Sequence, residues 1–345
     1  MQTSSRPSYL PWVDLTRIIA IFFVVVVHVS YQLMFKWGHI PFGWWMMGNV
    51  VEGFCRTAVS LFFMVSGYLN LIHPMPWKEY LTKRLSRLFI ILVAWSLIHM
   101  VLLVYTGQKQ YTPSSALTAI LTGKVYDHLW FLYSLFAFYL LTPLFQKIIQ
   151  KNVRILWYLV AFWVLIEPVA FLVGQLTGFQ LLGFIPEGLN YLSYYGYYLL
   201  GYLLGVQEFT KKQTWLGLGT YLLATFFIIY ATWALTVAKN AMDASLYYIN
   251  GFPVLIGAIG LFIFVNQLKW GHPFVRFVGT TTTGIYLMHY IIIDLAKRGL
   301  FGVRLSATIP NPYIGIPVTS IVVFVISSII TWILLKIPVL RRIVS

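Results

Sequence analysis

The sequence predicts an all-α polytopic membrane protein of about ten transmembrane helices with both termini in the cytoplasm, and three observations carry that prediction. Hydrophobic residues make up 59% of the 345 positions and charged residues only 10%, far from the composition of a soluble domain. Apolar runs of membrane-crossing length recur along the chain. Lys and Arg outnumber Asp and Glu by 24 to 9, yet they flank apolar runs and form no basic patch interleaved with stacking aromatics. The charge therefore reads as topology, and a nucleic-acid partner is excluded.

The first run, 12–35, is longer than the apolar core of a signal peptide and is followed by no small-residue cleavage site, so it is expected to stay as a helix. Further runs cover about 51–72, 85–105, 129–146, 153–174, 191–207, 214–236, 250–267, 277–296 and 314–337. With the N-terminus inside, the cytoplasmic segments hold fifteen Lys and Arg, Arg6 among them, against seven outside. That asymmetry fixes the expected orientation. No connecting segment is long enough for a second domain, the longest being about 106–128, so residues 1–345 are read as a single membrane-embedded domain. Gly201 and Gly205 in GYYLLGYLLG have the four-residue spacing that lets two membrane helices approach closely. Cys55 is the only cysteine and the seven histidines have no metal-ligand spacing, so neither an internal disulfide nor a metal site is expected.

Polar residues inside apolar runs are costly and mark function or pairing. The first run carries Asp14, Arg17, His28 and Gln32. The eleven-residue step from Arg17 to His28 is three helical turns plus about 20°, which puts both on one face about 16 Å apart. Arg17 is then expected near one membrane surface and His28 beyond the middle, on a stripe facing a cavity or other helices. Arg56, near the outer end of the second run, is either a cation facing His28 or an arginine snorkelling to headgroups. Arg84 and Arg87 stand one turn apart at the cytoplasmic start of the third, either as positive-inside anchors or as a pair that grips phosphate oxygens bidentately. For His99 and His128 an interfacial or packing role is expected. Glu167, in the outer half of the fifth run, is the one clear mid-span acid and wants a partner or a proton. His289, with Thr282 and Tyr286 on its face, is expected at a depth similar to that of His28.

The arginine and histidine of the first run, followed in order by RTAVSLFFMVSGYL, KRLSRL, HLWFLYSLFAFYL and GIYLMH, make a pattern that resembles acyltransferase family 3, the bacterial transmembrane O-acyltransferases. The resemblance covers nearly the whole chain. It is strongest to the subgroup without a fused soluble domain that contains the O-acetyltransferase of enterobacterial common antigen. It implies transfer of an acyl group, acetyl in the first instance, from cytoplasmic acyl-CoA to a hydroxyl of an envelope glycan or its lipid-linked precursor, in the bacterial inner membrane. Membrane lipid and the glycan are the implied partners. Carried over position by position, Arg17 and His28 match the family's essential pair, Arg84 and Arg87 its arginine pair, Arg56 the arginine before LFF, and His289 the late YLxH motif. Two departures stand out. Adjacent glutamates common after HLW are replaced here by Tyr133, Ser134, Leu135 and Phe136, and Ser60 replaces a common proline. Glu167 or Asp14 is the expected substitute acid, with Tyr286 and His128 as further substrate or proton-relay candidates.

Family and spacing suggest that Arg17, Arg84 and Arg87 hold the phosphates of coenzyme A while the acyl arm reaches His28. That histidine acts either as general base or as an acyl carrier, and Arg56 faces the oxyanion. The competing class is a transporter or glycan flippase. Such carriers generally use buried carboxylates and broken helices, and the sequence offers only Glu167 toward them.

Overall fold

The computed structural model describes residues 9–179, 187–299 and 302–344; Arg6 lies outside them. Regular structure among these residues is entirely helical. In chain order the helices are α1 (Pro11–Ser30), α2 (Phe42–Cys55), α3 (Ala58–Leu71), α4 (Trp77–Tyr80), α5 (Ser86–Tyr105), α6 (Pro113–Thr122), α7 (Trp130–Asn152), α8 (Arg154–Val164), α9 (Ala170–Thr177), α10 (Tyr195–Gly205), α11 (Lys211–Lys239), α12 (Phe252–Asn266), α13 (Pro273–Arg298), α14 (Pro312–Leu335) and α15 (Pro338–Val344). Two π-helical turns, Leu81–Leu85 and Leu165–Val169, join α4 to α5 and α8 to α9.

Eight helical stretches among the described residues are long and apolar enough to cross a membrane: Pro11–Lys36, Phe42–Leu71, Trp77–Tyr105, Asp127–Asn152, Arg154–Thr177, Lys211–Lys239, Ser245–Asn266 and Pro312–Leu335. The expected ten differ from these at two places. The run at 191–207 yields α10, with 11 residues and a length of roughly 16 Å at 1.5 Å per residue, short of the ~30 Å hydrocarbon layer. The run at 277–296 yields α13, whose 26 residues are long enough but include Arg276, four threonines, His289, Asp294, Lys297 and Arg298. Its polarity has another use, described below.

The chain divides into two compact units. The first comprises Met1–Phe62, Gln207–Asp243 and Pro253–Ser328, and the second Phe63–Val206, Ala244–Phe252 and Ile329–Ser345. In the first unit α1 packs most extensively on α13, and α2 packs on α1 and α11. Pro273 starts α13, where its missing N–H costs nothing, and the His272 side chain accepts from the Phe274 N–H at 3.2 Å. Gly299, at φ +91°, ends the helix in the left-handed conformation that glycine adopts readily. Gly279 lets α13 approach α1, because a side chain there would collide with the Asp14 carboxyl. Contacts from Asp14 to Gly279, Arg17 to Thr283 and His28 to His289 climb both helices together. The two therefore run parallel, as expected of the first and ninth runs.

In the second unit α5 and α7 pack together, and α10 lies against α8. The Tyr198 hydroxyl and Thr142 Oγ1 share a hydrogen bond of 2.7 Å, and Trp163 Nε1 donates to the Ser193 carbonyl at 2.6 Å. Gly201 and Gly205 play the packing role that their spacing predicts. A Cβ on Gly201 would run into the Met64 backbone carbonyl, and one on Gly205 into the Tyr68 ring. Because the obstacle at Gly201 is backbone, Gly201→Ala should destabilise the protein by about 1–3 kcal/mol through overpacking. Gly219, with nothing within 4 Å of its would-be Cβ, is the control. Thermal unfolding in detergent should show a lowered midpoint for Gly201→Ala and none for Gly219→Ala.

Candidate active site

Two helices of the first unit deliver two histidines to one point. His28 stands near the end of α1 and His289 in the second half of α13, and His28 Nδ1 and His289 Nε2 are 2.9 Å apart. Their rings stack with centroids 5.0 Å apart at 21°, and the Tyr290 ring lies 4.5 Å from that of His28. His289 is fully buried, whereas His28 is half-buried.

The surrounding bonds define the proton positions. His289 Nδ1 faces two backbone carbonyls of its own helix, Tyr286 O at 2.6 Å and Ile285 O at 3.2 Å. A carbonyl only accepts, so Nδ1 of His289 carries the proton. A neutral imidazole has one donor and one acceptor nitrogen, so its Nε2 accepts from Nδ1–H of His28. The Nε2 of His28 then carries an unprotonated lone pair. The fixed carbonyls of α13 thus set the tautomer of a residue on α1, a role often filled by a carboxylate behind a catalytic histidine.

Arg56 is held inside the protein. Its Nη2 donates to Glu52 Oε2 at 2.5 Å, and the other oxygen of that carboxylate accepts from Ser30 Oγ at 2.9 Å. Ser30 is two residues from His28, and Arg56 is within electrostatic reach of the His28 ring. The pairing with Glu52 belongs to neither of the two readings that the sequence left open for Arg56. Glu52, with 1% exposure, corrects the expectation that Glu167 is the one clear mid-span acid. The second span begins at Phe42, nine residues before the apolar run, so Glu52 sits well inside a helix. Its four-residue spacing from Arg56 was the available signal. The span is also interrupted at Arg56–Thr57, between α2 and α3. The Thr57 and Ser60 hydroxyls beside the interruption are buried without a hydrogen-bond partner among the described residues.

Arg17 lies toward the other end of α1. Its guanidinium is 3.7 Å from the Asp14 carboxylate and 3.5 Å from Thr283 Oγ1. Asp14 is therefore a partner of Arg17, fourteen residues from His28. Gln32 falls beyond the end of α1 in the turn Tyr31–Lys36, where it is exposed and off the stripe. Tyr286 is buried and serves the pair through its carbonyl, its ring lying 6.0 Å from that of His289. Tyr290 was missed by the sequence reading, since its position beside a histidine in an apolar run carries no distinguishing signal.

The remaining candidates belong to the second unit. Arg84 and Arg87 are exposed around the start of α5, and Arg341 and Arg84 lie within electrostatic reach of Arg87. His99 and His128 are buried, with ring centroids 4.8 Å apart and Tyr126 packed on both. Both are packed in the core, in keeping with the packing half of that expectation. Glu167 accepts from Tyr248 and Asn250. No group of three or more His, Cys, Asp or Glu able to hold a metal occurs among the described residues.

The family model of the acyltransferase family 3 domain matches residues 10–336, running through both units. The chain belongs to that family. Neither a curated protein nor a solved structure matches it.

The buried ion pair yields a test. Glu52→Ala leaves Arg56 without its carboxylate and should cost about 3–5 kcal/mol, whereas replacing both partners, as Glu52→Leu with Arg56→Met, should recover most of that loss. Detergent unfolding curves of the single and double variants would check the order.

Proposed function

We propose that the protein transfers an acyl group, acetyl in the first instance, from acyl-CoA to a hydroxyl of an envelope glycan or its lipid-linked precursor. It does so in a bacterial inner membrane with both termini in the cytoplasm, in the manner of the stand-alone subgroup that includes the enterobacterial common antigen O-acetyltransferase. The observation that carries this reading is the histidine pair, which leaves a lone pair on His28, its half-buried member, in a chain of acyltransferase family 3.

His28 Nε2 takes the proton of the acceptor hydroxyl as that oxygen attacks the thioester carbonyl. The tetrahedral intermediate carries a negative oxygen, and Arg56, fixed by Glu52, is the cation for it. Collapse breaks the carbon–sulfur bond, and the thiolate of coenzyme A leaves with the proton from His28. His289 acts through His28 and is a positioning residue: it holds the Nδ1 proton and so keeps Nε2 basic. The same lone pair would serve the acyl-carrier route, in which His28 itself takes the acyl group and passes it to the hydroxyl. Arg84 and Arg87 are proposed to bind the phosphates of the donor; Arg17, anchored by Asp14, is proposed as a further anion contact. The absence of adjacent glutamates after HLW is met by this scheme, since no acid is needed at that position.

A carrier or flippase remains the second reading, favoured by two observations, the buried Glu52 and the interrupted second span. Glu52 is already neutralised by Arg56, which leaves it poorly placed to bind and release an ion. Transfer of labelled acyl groups by purified protein separates the two classes.

His28→Ala should abolish or nearly abolish transfer while coenzyme A still binds by calorimetry. His289→Gln, whose amide oxygen accepts from His28 Nδ1–H, should retain measurable transfer, and His289→Leu should lose roughly 10²–10⁴-fold, the scale of a lost acid–base contribution. Equal losses in the Gln and Leu variants would contradict the positioning role. Arg84→Ala and Arg87→Ala should each weaken coenzyme A binding about ten- to a hundred-fold, the worth of a charge-assisted hydrogen bond. Acid-quenched wild-type protein given labelled acyl-CoA and no acceptor should carry no label on His28; stable label there would establish the acyl-carrier route.

A further inference from the structure

The second unit holds a polar cluster that the chemistry at His28 does not use. The π-helical turn between α8 and α9 contains Glu167 and Pro168. Such turns open the helical ladder, re-aim side chains and recur at functional sites. Glu167 is half-buried, and both of its hydrogen bonds arrive on one oxygen: Tyr248 Oη donates to Oε2 at 3.0 Å and Asn250 Nδ2 at 3.1 Å. Asn250 Nδ2 also donates to the Ser193 carbonyl at 3.0 Å, which fixes the amide. Asn250 is fully buried, yet its Oδ1 has no partner.

Two acceptor oxygens on groups already bonded to each other are thus left without a donor among the described residues: Asn250 Oδ1, which is buried, and Glu167 Oε1, on a half-buried carboxylate. Among the described residues no Lys, Arg or His forms an ion pair with Glu167. A buried acceptor without a donor is costly, and a native structure that keeps one invites a ligand as the explanation. Beside these oxygens Phe171 and Tyr248 stack with ring centroids 4.3 Å apart, and both are half-buried, not sealed. The missing partner must bring hydrogen-bond donors for two neighbouring acceptors and a small apolar face for the rings. A sugar ring has both, in its vicinal hydroxyls and its C–H face. A bare metal cation has no apolar face to set against the rings.

We propose that Glu167, Asn250, Tyr248 and Phe171 form a subsite for a pyranose ring of the acceptor glycan, with neighbouring hydroxyls donating to Glu167 Oε1 and Asn250 Oδ1. The proposal rests on the reading of the protein as a glycan acyltransferase and adds where the acceptor is held. Tyr248 and the amide of Asn250 orient the carboxylate; Phe171 backs the Tyr248 ring against which the sugar lies.

The test is saturation-transfer NMR from the purified full chain in detergent to methyl glycopyranosides of the gluco, galacto, manno and 2-acetamido-gluco series. Transfer to the ring protons of at least one glycoside is expected in the wild type and in His28→Ala, so the result does not depend on chemistry at His28. It should be lost in Glu167→Ala and weakened in Tyr248→Phe, which keeps the ring but frees the carboxylate. In the transfer assay Glu167→Ala should raise the acceptor KM about ten- to a hundred-fold and leave the donor KM unchanged. A merely structural role for the π turn would move stability and kcat without that split, and would overturn the proposal. So would a folded wild type that binds no glycoside, or a sodium-dependent thermal stabilisation that Glu167→Gln removes while no glycoside binds. A wild type that binds glycosides through Glu167 but transfers no acyl group would defeat the proposed function and leave the sugar subsite standing.

Discussion

The arrangement around His28 depends on one ordinary contact, the hydrogen bond from His289 Nδ1 to the carbonyl of Tyr286 one turn back along α13. A backbone carbonyl cannot donate, so this bond removes the ambiguity that an isolated imidazole pair would have. The proton order passes from α13 to His289 and from His289 to His28, leaving the basic nitrogen on the half-buried ring. The alternative, a carboxylate behind the histidine, would place a charge in an apolar bundle and require compensation. Two neutral rings and a helix carbonyl reach the same end without a new charge.

Charge that does enter the bundle comes in bonded sets. Arg56 is matched by Glu52, and Glu52 in turn by Ser30, so the guanidinium is held by a carboxylate that water does not reach. Asp14 and Arg17 repeat the pattern at the other end of α1. A buried ion pair of this kind is a poor source of net stability, because desolvation offsets most of its attraction. Its use is positional: the guanidinium has one place to be. Gly279 and Thr283 serve the same end, since a small and a hydroxylated residue let α13 lie close to Asp14 and Arg17 of α1 where a leucine-rich face would stand off.

Much of this was legible in the sequence, and the gaps have physical reasons. The step from Arg17 to His28 is a helical period, so their shared face followed from geometry alone. His289 could be placed at the depth of His28 because spans one and nine run the same way, and the structure brings the two rings into contact. Glu52 escaped because hydropathy marks where apolar residues begin and not where a helix begins; α2 starts at Phe42, among glycine and methionine, and carries Glu52 inward. Tyr290 escaped because an aromatic in an apolar run looks like core. α13, expected as a span, spends its polar residues in several directions: Thr283 and His289 meet α1, Thr281 shares a hydrogen bond with Ser328 of α14, and Asp294 pairs with Arg298 on the surface. The short α10 satisfies the hydropathy of a span without its length. The pairing of Glu167 with Tyr248 and Asn250 joins residues some eighty positions apart, and no local period encodes that.

The central claim is the protonation pattern of the histidine pair, and nitrogen NMR of the protein labelled with ¹⁵N at histidine reads it directly. Assigned by loss of signal in His28→Ala and His289→Gln, both residues should show a protonated Nδ1 and an unprotonated Nε2 at neutral pH. A spectrum in which His28 carries its proton on Nε2 would contradict the account, because the nitrogen proposed to take the acceptor's proton would already hold one.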